Sequence, residues 1–338
     1  MNPQIETLET LIYEVTGRIA RITLNRPERG NGITLEMPRE LAACVERADL
    51  DPEVHVIALA GNGSGFCGGY DLVASAERTM EDLAAPDDAR ARDSATRDTG
   101  QEEAPDSGSP LDPMVMARNH DPEGTWDPVT DYQMMSRNLR GFMSLFRSDK
   151  PTVTKIHGYC VAGGTDMALC SDLIVAEDRA KIGYPPARVW GVPTSALWAF
   201  RIGPARAKRL LLTGDSIDGT TAVEWGLATE ASPATELDQR FEALLERIAR
   251  VPINQLVMHK LLVNQAFYAQ GLQATQELGV FFDGIARHTP EGFAWQQRAA
   301  EVGFKQAVRE RDDPFGDFGR QAEISRTQDE GDFGRDDG

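Results

Sequence analysis

The sequence predicts an α/β core closed by a helical C-terminal layer, and three observations carry that prediction. Up to about residue 215, short β-branched runs alternate with glycine-marked turns and stretches of helical period. From residue 220 the apolar spacing is helical, over 220–225, 235–250, 253–270 and 273–287, with loops short enough for packed helical hairpins. Two strand–turn–helix units carry paired glycines: Gly68-Gly69 follows the run 54–60, and Gly163-Gly164 follows the run 153–156.

Residues 11–15 and 19–24 alternate apolar and polar side chains about a Gly17-Arg18 turn and read as a β-hairpin. After a polar loop at 25–32, Thr34 is expected to cap a helix running to Asp49, with Leu41, Val45 and Ala48 on one face. The strand 54–60 leads into the first glycine turn, and a helix is expected over 72–80. Residues 84–128 are rich in Asp, Glu, Ala, Ser, Pro and Gly and poor in large apolar side chains. They are expected to form a disordered acidic insert, or a lid beside the neighbouring turn. Apolar spacing returns at 129–146, where Met134, Met135, Leu139, Phe142, Met143 and Leu145 mark a partly buried helix. A strand at 153–156 feeds the second glycine turn, and a buried strand follows at 173–176. The stretch 181–193 is irregular because of its prolines, and Pro204 opens a helix that ends at Thr213. Beyond about residue 320 the chain is polar and acidic and reads as a disordered tail.

The 338-residue chain carries a net charge of −18, which argues against unaided binding to nucleic acid or to an anionic membrane. Cys44, Cys67, Cys160 and Cys170 are scattered, without a CxxC pair. The expectation is a reduced, cytoplasmic protein with neither a disulfide framework nor a metal. No apolar signal core opens the sequence, and no apolar run reaches the roughly 18 residues of a membrane span.

Paired glycines before a helix let backbone amides approach a ligand closely, and a helix start favours negative charge. Two such turns converging on one carbonyl oxygen make an oxyanion hole. Asp166 falls in the first turn of the second helix, close to those donors.

In order and spacing, the motifs resemble the crotonase superfamily, the enoyl-CoA hydratase/isomerase fold. Leu24-Asn25-Arg26-Pro27-Glu28 resembles its LNRPE loop. Gly65-Phe66-Cys67-Gly68-Gly69-Tyr70-Asp71-Leu72 resembles its first oxyanion turn, G-x-x-F-C-A-G-x-D-L, and the stretch from His157-Gly158-Tyr159 to Asp172 resembles its second. Leu212-Thr213-Gly214, residues 222–228 and Pro290-Glu291-Gly292-Phe293 resemble later family blocks, so the likeness spans about 11–315 apart from the insert. The resemblance implies a crotonase-like spiral of ββα units over 1–215, interrupted by the insert at 84–128. It further implies a helical trimerisation region over 216–320 and assembly as a homotrimer or a dimer of trimers, while composition alone marks 321–338 as the disordered acidic tail. The implied ligand is an acyl-CoA thioester, with coenzyme A part of the substrate and no separate cofactor. The implied oxyanion donors are Gly68 and Gly163, and the implied catalytic carboxylate is Asp166. Arg26, Arg29, Tyr70, Asp71, Leu72, Tyr184, Pro186 and Arg188 are the implied substrate contacts.

Hydratases of this family use two glutamates around one water. Asp166 matches the first, one methylene shorter; Pro186 matches the second and transfers no proton. Thr194 stands where some relatives carry a catalytic aspartate, and His157 is expected to be a hydrogen-bonded structural residue. Three readings follow: an enoyl-CoA hydratase working through Asp166, another crotonase-type isomerase or lyase using the same oxyanion hole, or an acyl-CoA-binding protein without turnover.

Overall fold

The computed structural model describes residues 4–72, 109 and 111–316. The large sheet runs in the order β1 (Gln4–Thr7), β2 (Leu11–Thr16), β3 (Ile19–Leu24), β4 (Val56–Gly61), β5 (Thr152–Ile156), β7 (Leu173–Glu177) and β10 (Glu230–Ser232). The first three strands pair antiparallel, and every pairing from β3 to β10 is parallel. A smaller sheet holds β6 (Tyr159–Val161), β8 (Lys181–Gly183) and β9 (Ser216–Ile217). β5 and β7 lie in the large sheet, and the strand after each, β6 and β8, lies in the small one. This is the expected spiral of ββα units.

The hairpin forms where the alternation predicts it: Leu11 and Tyr13 on β2, and Ala20, Ile22 and Leu24 on β3, are all buried. Helix α1 (Met37–Leu50) buries Met37, Leu41, Cys44, Val45 and Ala48, the stripe of an amphipathic helix. Its start differs from the expectation. Glu36 occupies the N-cap, Pro38 lies in the first turn, where its missing N–H costs nothing, and the Thr34 hydroxyl makes no hydrogen bond among the described residues.

Residues 84–108 and 110 lie outside the described residues, as do the expected 72–80 helix beyond Leu72 and the tail from 317. The described remainder of the acidic stretch is folded rather than disordered. Helix α2 (Pro113–Asn119) is capped by Asp112, whose side chain accepts the Met114 N–H at 2.8 Å, and Leu111 and Met116 pack on the core. Asn119 and Trp126 both donate to Asp131 Oδ2, at 3.2 and 2.6 Å. Asp131 belongs to α3 (Pro128–Arg147), so local composition misleads here: these polar residues are ordered by a partner in the next element.

Helix α4 (Gly163–Ala168) follows β6, and α5 (Leu197–Thr213) contains a break at Gly203, with φ 77°, after which Pro204 opens the second half. Helices α6 (Gly219–Trp225), α7 (Ala234–Ala249), α8 (Ile253–Ala269), α9 (Leu272–Arg287), α10 (Pro290–Val302) and α11 (Phe304–Asp312) complete the chain. Leu237, Phe241 and Leu245 of α7 cover one face of the large sheet through Val56, Val153 and Val175. The other face packs on α1, α3 and the small sheet in the main core. Buried Lys260 of α8 donates to Leu145 O at 2.8 Å and Lys150 O at 2.9 Å, and pairs with Asp172 at 2.9 Å, fastening the helical layer to the end of α3. No helix among the described residues is long and apolar enough to cross a membrane.

Candidate active site

The two glycine turns lie side by side. Cys67 and Cys160 form a parallel bridge, with the Cys67 N–H donating to Tyr159 O at 3.2 Å and the Val161 N–H donating to Cys67 O at 3.1 Å. Ala162, at φ 54° and ψ −129°, redirects the chain from β6 into α4, and Gly163 is the first residue of that helix. The Gly163 N–H therefore has no intrahelical acceptor. A Cβ on Gly163 would stand 2.7 Å from Tyr70 Cε2 and 2.9 Å from Ile33 Cδ1, so only glycine lets the Tyr70 ring lie against this turn.

The first turn corrects one assignment. The Gly68 N–H is committed to Gly30 O at 2.9 Å and is no free donor. Two residues on, Tyr70 bridges Ile33 through the Gly69 carbonyl and the Asp71 N–H. In a parallel bridge the central residue's own amide points to the opposite side, so the Tyr70 N–H faces away from Ile33.

Asp166 is fully buried. Its Oδ1 accepts the Ser195 N–H at 2.9 Å, and its Oδ2 has no hydrogen-bond partner among the described residues. Burial pushes its carboxyl up to about 7; the neighbouring Ser195 side chain and the Ser195 and Thr194 amides oppose the rise, and the Asp283 charge reinforces it. The Tyr70, Thr194 and Ser195 hydroxyls are likewise buried without a hydrogen bond among the described residues. Tyr184 is buried as well, and burial raises the Tyr70 and Tyr184 phenols, with Asp166 and Asp283 adding to the rise in both. A carboxyl poised near neutrality, beside hydroxyls and two turns of backbone amides, is equipped to give or take a proton next to a developing oxyanion.

Helix α9 packs against the 193–195 segment whose Ser195 amide holds Asp166. Asp283 Oδ2 accepts Arg287 at 2.7 Å, and its Oδ1 accepts the Val192 N–H at 3.4 Å. Arg287 also donates to Asp131 at 2.8 Å. Behind that pair, donor atoms of His120, Asp131 and His288 lie within 4.8 Å of one another. Both His288 nitrogens face carbonyls, Gly284 O at 2.8 Å and Asn119 O at 2.9 Å, and His120 Nδ1 faces Met116 O at 2.9 Å. With Asp131 taken by Arg287, Trp126 and Asn119, the cluster fastens α2 to α9 and offers a cation few open ligands.

A family model described as enoyl-CoA hydratase/isomerase matches residues 123–293, and a second of the same description matches 19–98. The chain belongs to the enoyl-CoA hydratase/isomerase family, within the crotonase superfamily. EchA13 of Mycobacterium tuberculosis, which carries the enoyl-CoA hydratase name, is 33% identical over 276 residues, covering 79% of this chain and 77% of that protein. A crystal structure of an enoyl-CoA hydratase from Mycobacterium smegmatis is 54% identical with a TM-score of 0.81, covering 93% of this chain and 97% of that one. Carnitinyl-CoA dehydratase of Proteus mirabilis is 26% identical over 245 residues, covering 71% and 75% of the two chains. Membership of the enoyl-CoA hydratase/isomerase family makes this an acyl-CoA-processing enzyme.

Within this family member, Tyr70 lies against Gly163, and the Asp166 charge acts on both the Tyr70 and Tyr184 phenols. Arg26 and Asp71 do not serve as free substrate contacts. Arg26 donates to Gly32 O at 2.5 Å and to Asp71 Oδ2 at 2.8 Å, tying the first glycine turn to the loop before α1. Arg188 is also redirected: its Nε donates to Thr213 O at 2.9 Å, it pairs with Asp312 at 2.8 Å, and it lies over the Phe315 ring, clamping the C-terminal segment. Pro186 sits half-buried in the 3-10 turn Pro185–Arg188, Arg29 is exposed at the end of the 3-10 turn Pro27–Arg29, and Leu72 is half-buried at the edge of the described residues. His157 Nε2 meets Gly63 O at 2.9 Å, the structural role expected of it. The sequence motifs do not single out Asp283, which the fold buries on α9. Its i,i+4 spacing to Arg287 was the available signal, and on an isolated helix that spacing reads as a surface ion pair.

Proposed function

We propose that this chain is an enoyl-CoA hydratase, adding water across the double bond of a 2-enoyl thioester of coenzyme A. The observation that carries the reading is Asp166: a buried carboxyl raised to about 7, one oxygen unpartnered, on the helix that begins at Gly163. In this reading the thioester oxygen lies between the N–H groups of Gly163 and Tyr70, the latter replacing Gly68. These amides hold the negative charge that develops when water adds at Cβ. Asp166, protonated near neutrality, gives its proton to Cα as the enolate collapses. Tyr184 and Tyr70 wall the acyl group, Arg29 lies on the coenzyme A side, and no cofactor beyond the substrate's own coenzyme A takes part.

A second reading draws on Pro186. A single carboxyl can move a proton between two carbons of one acyl chain, so an enoyl-CoA isomerase needs no group at that place. Purified protein incubated with 2-enoyl-CoA and 3-enoyl-CoA thioesters of several lengths separates the two. A hydratase removes the conjugated thioester absorbance of the first, whereas an isomerase creates it from the second. Binding without either change supports the non-catalytic alternative and sinks both proposals.

The assembly proposed is a homotrimer or a pair of trimers in the cytoplasm. Its support is the outer face of α8 and α9, where Leu262 is 72% exposed and Val263 60%, with Leu261, Leu278 and Phe282 beside them. Large apolar side chains exposed in such number on two neighbouring helices mark an association surface.

A further inference from the structure

Helix α9 packs on the segment that holds Asp166. It lies along the 192–195 segment so closely that a Cβ on Gly279 would stand 3.1 Å from Pro193 O, and Gln276 Nε2 donates to Ser195 O at 3.0 Å. Ser195 is the residue whose amide holds Asp166. One turn beyond Gly279, Asp283 is 5% exposed, fixed by Arg287 on one oxygen and by the Val192 amide on the other. Each oxygen retains a lone pair for a further donor. A buried ion pair is a poor device for stability alone, because desolvation cancels much of its attraction.

We propose that Asp283 is the second carboxylate of the site, the base that takes a proton from the water adding to the substrate. The proposal rests on the hydratase reading above. The water O–H bond breaks toward Asp283 as its oxygen bonds Cβ. The double-bond pair moves to form a bond between Cα and the thioester carbon, and the carbonyl pair moves onto oxygen, held by the Gly163 and Tyr70 amides. The enolate then returns its pair, and Cα takes the proton of Asp166. One water has been added, Asp283 is protonated and Asp166 ionised, and proton exchange through solvent restores both. The charged and titratable groups around the pair are Tyr70 from the first glycine turn, Tyr184 after β8, Cys160 on β6 and Cys170 after α4 on the Asp166 side, and Arg287 on α9 with Asp131 on α3 behind it. Burial also lifts Asp283 above the usual carboxylate range despite Arg287, as a base requires.

The test measures kcat, KM and Tm for full-length wild type, Asp283→Asn and Asp283→Glu with a short 2-enoyl-CoA. Loss of a general base lowers kcat by ~10²–10⁴-fold in Asp283→Asn, with KM within a few-fold and Tm retained; Asp283→Glu falls between. Removing a charge that faces Asp166 also lowers the protonation midpoint of Asp166 from its value of about 7, read from its carboxyl infrared band without any turnover. An active wild type with Asp283→Asn equally active, or an Asp166 midpoint unmoved by the substitution, overturns the proposal alone. A wild type inactive on every enoyl-CoA overturns the hydratase reading and this role with it. Where Asp283→Asn does not fold, Asp283→Glu keeps the Arg287 charge pair and decides the matter: kcat must fall at unchanged KM.

Discussion

The Ser195 N–H donates to Asp166 Oδ1 at 2.9 Å, leaving the other oxygen of a fully buried carboxylate unpartnered among the described residues. One half of the group is held in place and the other half is available for chemistry. The arrangement is costly to the fold, since an unmet buried acceptor loses about 1–3 kcal/mol.

Asp166→Asn therefore separates activity from stability. The folded carboxyl sits near 7, above its ordinary 3.8, so the native state binds more protons than the unfolded chain between those values and stability falls as pH rises through them. The full penalty, reached above pH ~7, is about 4 kcal/mol at most from a shift of about three units. The substitution should raise Tm more at pH 8 than at pH 5, while turnover falls by ~10²–10⁴-fold. Wild-type kcat should decline as pH rises through about 7. A substitution that leaves turnover intact would make Asp166 purely structural.

Gly68 and Gly163 should respond in opposite ways to alanine. On Gly68 the added Cβ meets Gly30 O at 3.4 Å and Tyr159 Cε2 at 3.7 Å, ordinary contacts, and the amide keeps its internal bond. Gly68→Ala should leave kcat/KM near wild type. On Gly163 the Cβ would strike the Tyr70 ring, an overpacking cost of about 1–3 kcal/mol, and the displaced ring should lower acyl-CoA affinity in calorimetric titration. Equal loss in both variants would return the donor role to Gly68.

Arg188→Ala should act on stability rather than on substrate binding. Its side chain is 2% exposed and holds Asp312 and the Thr213 carbonyl. Removing one member of such a buried pair costs about 3–5 kcal/mol. Chemical denaturation should show the loss, whereas acyl-CoA affinity should stay near wild type. A large rise in Kd with an unchanged Tm would restore Arg188 to the substrate site.

Leu262→Asp should break self-association. The side chain is 72% exposed in one chain, so the change costs the subunit core little, but it places a charge in the proposed interface. Sedimentation should find a smaller species than the wild type. Identical assemblies for both proteins would place the interface elsewhere.

The hairpin, the two glycine turns, the helix stripes and the order of family motifs were legible in the chain because each is carried by residues adjacent in sequence. Alternation sets the faces of β2 and β3, and 3.6-residue spacing sets the buried stripe of α1. Short strands such as β8 and β9, of three and two residues, leave too few side chains for any period to show. The tertiary structure alone decided the roles of particular atoms. The Gly68 amide is spent because Gly30 is brought beside it, and the folded part of the acidic stretch is ordered because Asp131 and His288 receive Asn119 and Trp126. Asp283 looks like half of a surface pair until α9 packs on the 192–195 segment and buries it. Burial and the direction of a hydrogen bond are properties of contacts between distant segments, so composition and spacing place a residue in its element and packing assigns its chemistry.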